Sequence, residues 1–309
     1  MNVSGFSISL MHPTVECGYK MLSQGERLMW TDDHVHTCFS DDGKAEMEQQ
    51  ILQALQLGLD EICFTEHVDY GVKKDWSEGN IAWRTDGGER EPLANVDYPA
   101  YFAKIEEMRA KYGKRIQIHA GLEFGVQMHT IGKYEALLQK WKPSMDGALL
   151  SIHEIQDQEF WTQAFQRGKS QLEYNRAYYE EMKKVMEAFD GYSVLAHLDL
   201  IVRYDLAGVL PFQQVEDLVA EILKLAIEND KGIELNTSSW RYGLTDTQPS
   251  RAILKLYRDF GGRIVTIGSD AHSTLHLGAH LKDAHEILKN IGYSEFCTFE
   301  LWQPVFHRL

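Results

Sequence analysis

Strand-length runs alternate with longer stretches of helical periodicity along most of this chain. Trp30–Val35, Glu61–Thr65, Ile116–Leu122, Gly147–Ser151, Ser193–Ala196, Gly232–Leu235 and Arg263–Ile267 read as strands. Between them, Lys44–Leu57, Tyr98–Tyr112, Tyr134–Trp141, Leu172–Phe189, Phe212–Glu228 and Pro249–Phe260 place apolar residues on one helical face, and Lys282–Lys289 follows the last strand. Strand then helix, repeated without a linker, predicts an α/β fold of parallel strands joined by right-handed crossovers. We therefore expect one barrel-like domain over residues 30–309, with residues 1–29 as an extension outside it. The segment Val68–Asp97 breaks the rhythm. It is polar, glycine-containing and aperiodic, and loops of that length usually cover a site or are disordered.

The polar residues that interrupt the apolar pattern fall where the strands end. His34 and His36 close the first strand, Glu66 and His67 the second, Glu123 the third and His153 the fourth. His197 follows the fifth, Asn236 the sixth, and Asp270 and His272 the seventh. The i, i+2 spacing of His34 and His36 aims both imidazoles one way only on a strand. Side chains from different parallel strands meet at one end of a barrel, the carboxyl end, where barrel active sites form. Six of the 13 histidines lie at these ends, which points to a metal centre. Nitrogen and oxygen donors without thiolate suit zinc, manganese or iron in an open catalytic site better than a closed structural zinc. Without Glu66 and Asn236 but with Asp42, nine candidate donors exceed the needs of one ion, so two or three divalent ions are expected. Glu123, with two oxygens to share, is the expected bridge.

Composition narrows the partners. With 31 Lys and Arg against 46 Asp and Glu, the net charge of −15 argues against a general nucleic-acid binder and leaves room for a small anionic substrate beside local cations and metals. The four scattered cysteines, Cys17, Cys38, Cys63 and Cys297, form no framework and fit a reducing compartment. No apolar run approaches a membrane span, and the first 29 residues lack the basic start and unbroken apolar core of a signal peptide. A cytoplasmic protein is expected, its oligomeric state open.

In this order, HVHTCFSDD, TEH, GLE, SIH, AHLD and GSDAH resemble the PHP family, named for its polymerase and histidinol phosphatase members. The resemblance implies a distorted seven-stranded (βα)7 barrel and a cluster of two or three metal ions. It assigns the ligands to His34, His36, Asp42, His67, Glu123, His153, His197, Asp270 and His272. Many members carry histidine at the position of Asp42, and the neighbouring Asp41 competes for the role. The loop after TEH, with AHLDLIVRYD and ELNTSSWR, looks like the histidinol-phosphate phosphatase branch. On that reading Arg203 binds phosphate, since a guanidinium fork suits phosphate oxygens. Arg241 and Asn236 are further substrate contacts, and Trp76, Glu78, Trp83 and Asp86 of the long loop cover a cationic amine.

The expected reaction is hydrolysis of a phosphomonoester, L-histidinol phosphate, by a metal-bridging hydroxide, with Asp199 or a metal-bound water protonating the leaving group. Another small monoester or a nucleotide phosphodiester is the alternative substrate. Other phosphatase chemistries leave no trace. No cysteine precedes an arginine by six positions, there is no DxDx[TV] segment, and RGKS at 167–170 lacks the first glycine of a nucleotide loop. His276 and His280 read as histidines on a polar helix face, and His119 as either a support for Glu123 or a packing residue.

Overall fold

In the computed structural model, residues 28–84 and 91–309 are described; Asp86 and Cys17, and all of the expected extension except its last two residues, lie outside them. Seven strands pair in chain order as a parallel sheet: β1 (Thr31–Val35), β2 (Glu61–Val68), β3 (Gln117–Gly125), β4 (Leu149–Ser151), β5 (Val194–Leu195), β6 (Gly232–Asn236) and β7 (Val265–Gly268). The helices are α1 (Met47–Leu57), α2 (Tyr98–Tyr112), α3 (Ile131–Trp141), α4 (Gln171–Ala188), α5 (Glu216–Glu228), α6 (Arg251–Asp259) and α7 (Leu281–Ile291). Every predicted strand and helix is present. β2 and β3 run on past the predicted ends, to Val68 and Gly125, and so carry His67 and Glu123 inside regular ladders.

Local chemistry sets the helix ends. Asp97 caps α2 by accepting from Ala100 N–H at 3.2 Å, and Ser170 caps α4 in a reciprocal box with Glu173. That box explains the RGKS decoy: its serine starts a helix. Tyr101 of α2 sits between the carbonyls of Phe64 and Gly121 (2.9 and 3.0 Å), and Tyr134 of α3 between those of Val68 and Gly125 (both 2.8 Å). Two buried phenols thereby fasten helices to the strands that carry site residues.

The barrel is nearly closed. β1 meets the end of β7 through a bridge between Val35 and Ala271, with His36 N–H donating to the Ala271 carbonyl at 2.9 Å. Lower down, the buried Asp32 carboxylate replaces the missing ladder. It accepts from Ser269 N–H (2.8 Å), the Ser269 hydroxyl (2.6 Å) and Gly278 N–H (2.8 Å). A register irregularity between Asp32 and Val35 breaks the strict alternation of β1. Asp33 therefore faces the barrel interior beside Cys63 and Thr266, while the next residue, His34, reaches Glu123.

After α7 a hairpin of β8 (Glu295–Glu300) and β9 (Gln303–Arg308) packs below the barrel, an element the sequence pattern did not predict. Its two-residue turn, Leu301–Trp302, has φ of 50° and 67° without glycine or asparagine, so the usual hairpin signal is absent.

His119 is not beside Glu123. It sits at the amino end of the strands, 3.2 Å from Glu61 and 3.6 Å from Asp146. Burial lowers its pKa, but these carboxylates outweigh it and lift the imidazole to about 9. A histidine that is more basic when folded stabilises below its unfolded pKa, about 6.5, and loses that contribution as pH rises through 9. Denaturation of the metal-loaded protein should therefore show stability falling between these limits, by up to about 1.4 kcal/mol per pH unit. The His119→Gln variant should flatten that slope.

Candidate metal centre

The carboxyl ends of the strands surround a cavity of about 590 Å³ whose floor is the predicted cluster. Three donor sets can be traced. In the first, His34 Nε2 and His36 Nε2 lie 3.0 Å apart, each within 3.3 Å of Glu123 Oε2, with Asp270 Oδ1 at 3.8 and 3.6 Å. In the second, His67 Nε2 and His272 Nε2 are 3.3 Å apart, with Asp42 carboxylate oxygens at 3.7 and 3.2 Å. In the third, Glu123 Oε1 lies 3.0 Å from His153 Nε2 and 2.8 Å from His197 Nε2. The two oxygens of Glu123 thus belong to different sets. Asp41 turns away and pairs with the buried Lys73 at 2.7 Å, which leaves Asp42 facing the histidines.

This arrangement fits cations. Four donors around one ion at about 2.0–2.1 Å stand roughly 3.3 Å from one another, close to the spacings of the first set. The outward nitrogens are committed elsewhere. His34 Nδ1 meets Glu234 at 2.7 Å, His36 Nδ1 meets Ser40 Oγ at 3.2 Å, His153 Nδ1 meets Asp69 at 2.8 Å, and His272 Nδ1 meets the Asp270 carbonyl at 3.0 Å. With protons held on Nδ1, neutral rings aim their Nε2 lone pairs at one another and at the carboxylate oxygens, a repulsion that bound cations or further protons relieve. Burial, His272 and His67 push His36 well below the usual imidazole range. Burial would raise the Glu123 pKa, but His34, His67 and His153 hold it well below the carboxylate range.

Supporting residues complete the floor. Glu66 accepts from Thr37 N–H, Thr37 Oγ1 and Ser40 Oγ at 3.0, 2.7 and 2.6 Å, fixing the turn after His36; it carries no donor into the cluster. Glu234, which the sequence reading missed, orients His34 with one oxygen and accepts from His197 N–H (2.9 Å) and Asn236 Nδ2 (3.1 Å) with the other. Gly268 lets β7 approach β1 here: a Cβ on it would lie 2.3 Å from that of His34. His197 and Asp270 adopt φ of 26° and 55°, local strain of the kind found at functional sites. Glu234→Gln would turn an amide N–H₂ either toward His34 Nδ1 or toward the His197 and Asn236 donors and should weaken metal binding by about 10- to 100-fold, measured by competition with a chelator.

Arg203 and Arg241 both line the cavity. The Arg203 side chain, 6% exposed, donates to Gln248 Oε1 (2.9 Å) and Ser238 Oγ (2.7 Å), lies 3.4 Å from Asp270 Oδ2, and stacks 4.0 Å over the Tyr242 ring. Arg241 donates to the Asp270 carbonyl at 2.8 Å. Two expected residues do not reach the cavity. Asn236 is fully buried, its oxygen accepting from Ser238 N–H and Oγ (2.9 and 2.6 Å). Asp199 accepts from Ser250 N–H at 2.9 Å, and burial raises its pKa to about 7.

The long loop contributes differently from expectation. Trp76, Glu78 and Trp83 stay off the cavity wall; Arg84 reaches it instead, paired with Glu159 at 2.6 Å beside Trp161. His276 lies on the wall rather than on a helix, and His280 caps the start of α7 while contacting Asp283 at 2.8 Å.

Comparison with known proteins agrees with this geometry. A histidinol-phosphatase of Lactococcus lactis subsp. lactis is 27% identical over 272 residues, covering 87% of this chain and 93% of that protein. A probable histidinol-phosphatase of Thermotoga maritima is 31% identical over 263 residues, covering 85% and 92%. The crystal structure of the L. lactis histidinol phosphate phosphatase, complexed with zinc, L-histidinol and phosphate, superposes with a TM-score of 0.78 at 25% identity, over 90% of this chain and all (100%) of that one. The PHP domain family model matches residues 32–238, from the first strand to the residue that holds Arg203, and the chain belongs to that family.

Proposed function

We propose that this chain hydrolyses L-histidinol phosphate to L-histidinol and phosphate, using two or three divalent ions held by His34, His36, Asp42, His67, Glu123, His153, His197, Asp270 and His272. The observation that carries the reading is the sharing of Glu123 between two donor sets beside two cavity-lining arginines. Relatives named for the same activity, one with zinc, L-histidinol and phosphate bound, support the substrate. Bound ions of this kind lower the pKa of a water and neutralise charge on a phosphoryl group. Zinc, manganese and iron all suit the donors.

The residues do the rest. Glu123 spans two donor sets and fixes their spacing. Arg203, braced by Gln248, Ser238 and Tyr242, presents a guanidinium that is already ordered before a phosphate arrives. Arg241 adds a second cation. Trp161, Tyr204 and Tyr242 form aromatic wall for the organic end of the ester.

A substrate panel tests the assignment. L-histidinol phosphate should be hydrolysed faster than sugar phosphates and nucleotides, and para-nitrophenyl phosphate faster than its bis ester. Preference for the bis ester would replace the monoesterase reading with a diesterase one.

A further inference from the structure

At the opposite end of the barrel lies a second cavity of about 640 Å³, framed by the segments that precede β5, β6 and β7 and by the β8–β9 hairpin. Its walls are aromatic and fixed. Trp302 donates its backbone N–H to the Asp146 carbonyl (2.7 Å) and its indole N–H to the Lys142 carbonyl (3.1 Å). The Tyr257 hydroxyl donates to the Lys231 carbonyl (3.0 Å), and Gly262 closes on the same ring, where a Cβ would lie 2.4 Å away.

Lys142 and Lys231 line this cavity together with Arg263, Asp190 and Asp230, and neither ammonium has a carboxylate within 4.0 Å among the described residues. Lys231 Nζ is held at 2.8 Å by the carbonyls of Asp190 and Tyr192 and lies 5.0 Å from the Tyr192 ring centre. Lys142 Nζ stands 4.8 Å from the Trp302 ring centre. Burial lowers the Lys231 pKa and Lys142 lowers it further, while Asp190 and Asp230 oppose the shift. An anion placed between the lysines would relieve that repulsion. The volume suits a small molecule, and the flat rings suit a flat partner.

We propose that this cavity binds a small organic anion, a carboxylate carried on a planar ring, at a site separate from the metal centre. Lysines serve as point charges for an oxyanion, and the Trp302 and Tyr192 rings beside them offer a stacking surface. The donor cluster lies in the other cavity, at the carboxyl end of the strands, so occupancy here leaves that site accessible.

Calorimetry on the metal-loaded full chain tests this, with indole-3-acetate as probe and the uncharged indole-3-acetamide as control. The acid should bind with a dissociation constant below about 1 mM and the amide about tenfold more weakly. Lys142→Met, which removes an ammonium that holds no backbone group, should weaken the acid about tenfold and leave phosphomonoester turnover unchanged. Saturating inorganic phosphate should not displace the acid. Failure of the acid to bind, equal binding of acid and amide, full affinity in Lys142→Met, or displacement by phosphate would each overturn the proposal.

Discussion

Replacing Glu123 with glutamine should cut turnover of the phosphomonoester by about a thousandfold and lower the metal content of the purified protein. Oε2 lies within 3.3 Å of His34 and His36, and Oε1 within 3.0 Å of His153 and His197. An amide nitrogen offers no lone pair, so one of the two sets loses a donor whichever way the glutamine turns. Ions that stabilise transition-state charge contribute several kcal/mol, and about 4 kcal/mol corresponds to a factor of a thousand. Elemental analysis alongside kcat checks the result. Full metal content with turnover within tenfold of the parent would remove Glu123 from its bridging position.

Arg203→Lys should cost about a hundredfold in kcat/KM while leaving the bound metal unchanged. Lysine keeps the charge but loses the planar fork, and loss of one preorganised donor to a developing oxyanion costs about 10²–10³ in rate. Arg203 also lies 3.4 Å from Asp270, so the metal measurement decides between two roles. Loss of metal together with activity would make Arg203 a brace for Asp270 rather than a contact for phosphate.

Much of this was legible in the chain because the fold repeats a simple unit. Each strand is short, each helix amphipathic, and most of the metal-type residues fall at the same strand ends, so the sequence itself places His34, His67, Glu123, His153, His197 and Asp270 together. What escaped depends on contacts between distant segments. Glu234 lies two residues before Asn236 on the same strand, and only the barrel's closure brings it to His34. Lys73, inside the long loop, is bound to Asp41 and Asp69 at 2.7 Å each, a pairing no periodicity announces. His119 shared a strand with Glu123, and the pattern could not say that the strand carries it to the far end of the barrel. The C-terminal hairpin lacked a glycine at its turn. The long loop's aromatic residues read as a cover, yet among its described residues Asp69, Lys73 and Arg84 are the ones that meet the cavity.

Metal-dependent turnover of one substrate is tested most directly by phosphate release from L-histidinol phosphate by the purified protein before chelation, after chelation, and after return of zinc, manganese or iron. Release that is rapid, abolished by the chelator and restored by one of these ions is the predicted result. Release that persists after complete removal of metal would contradict the role given to the cluster. No release with metal bound, alongside turnover of other esters, would contradict the substrate.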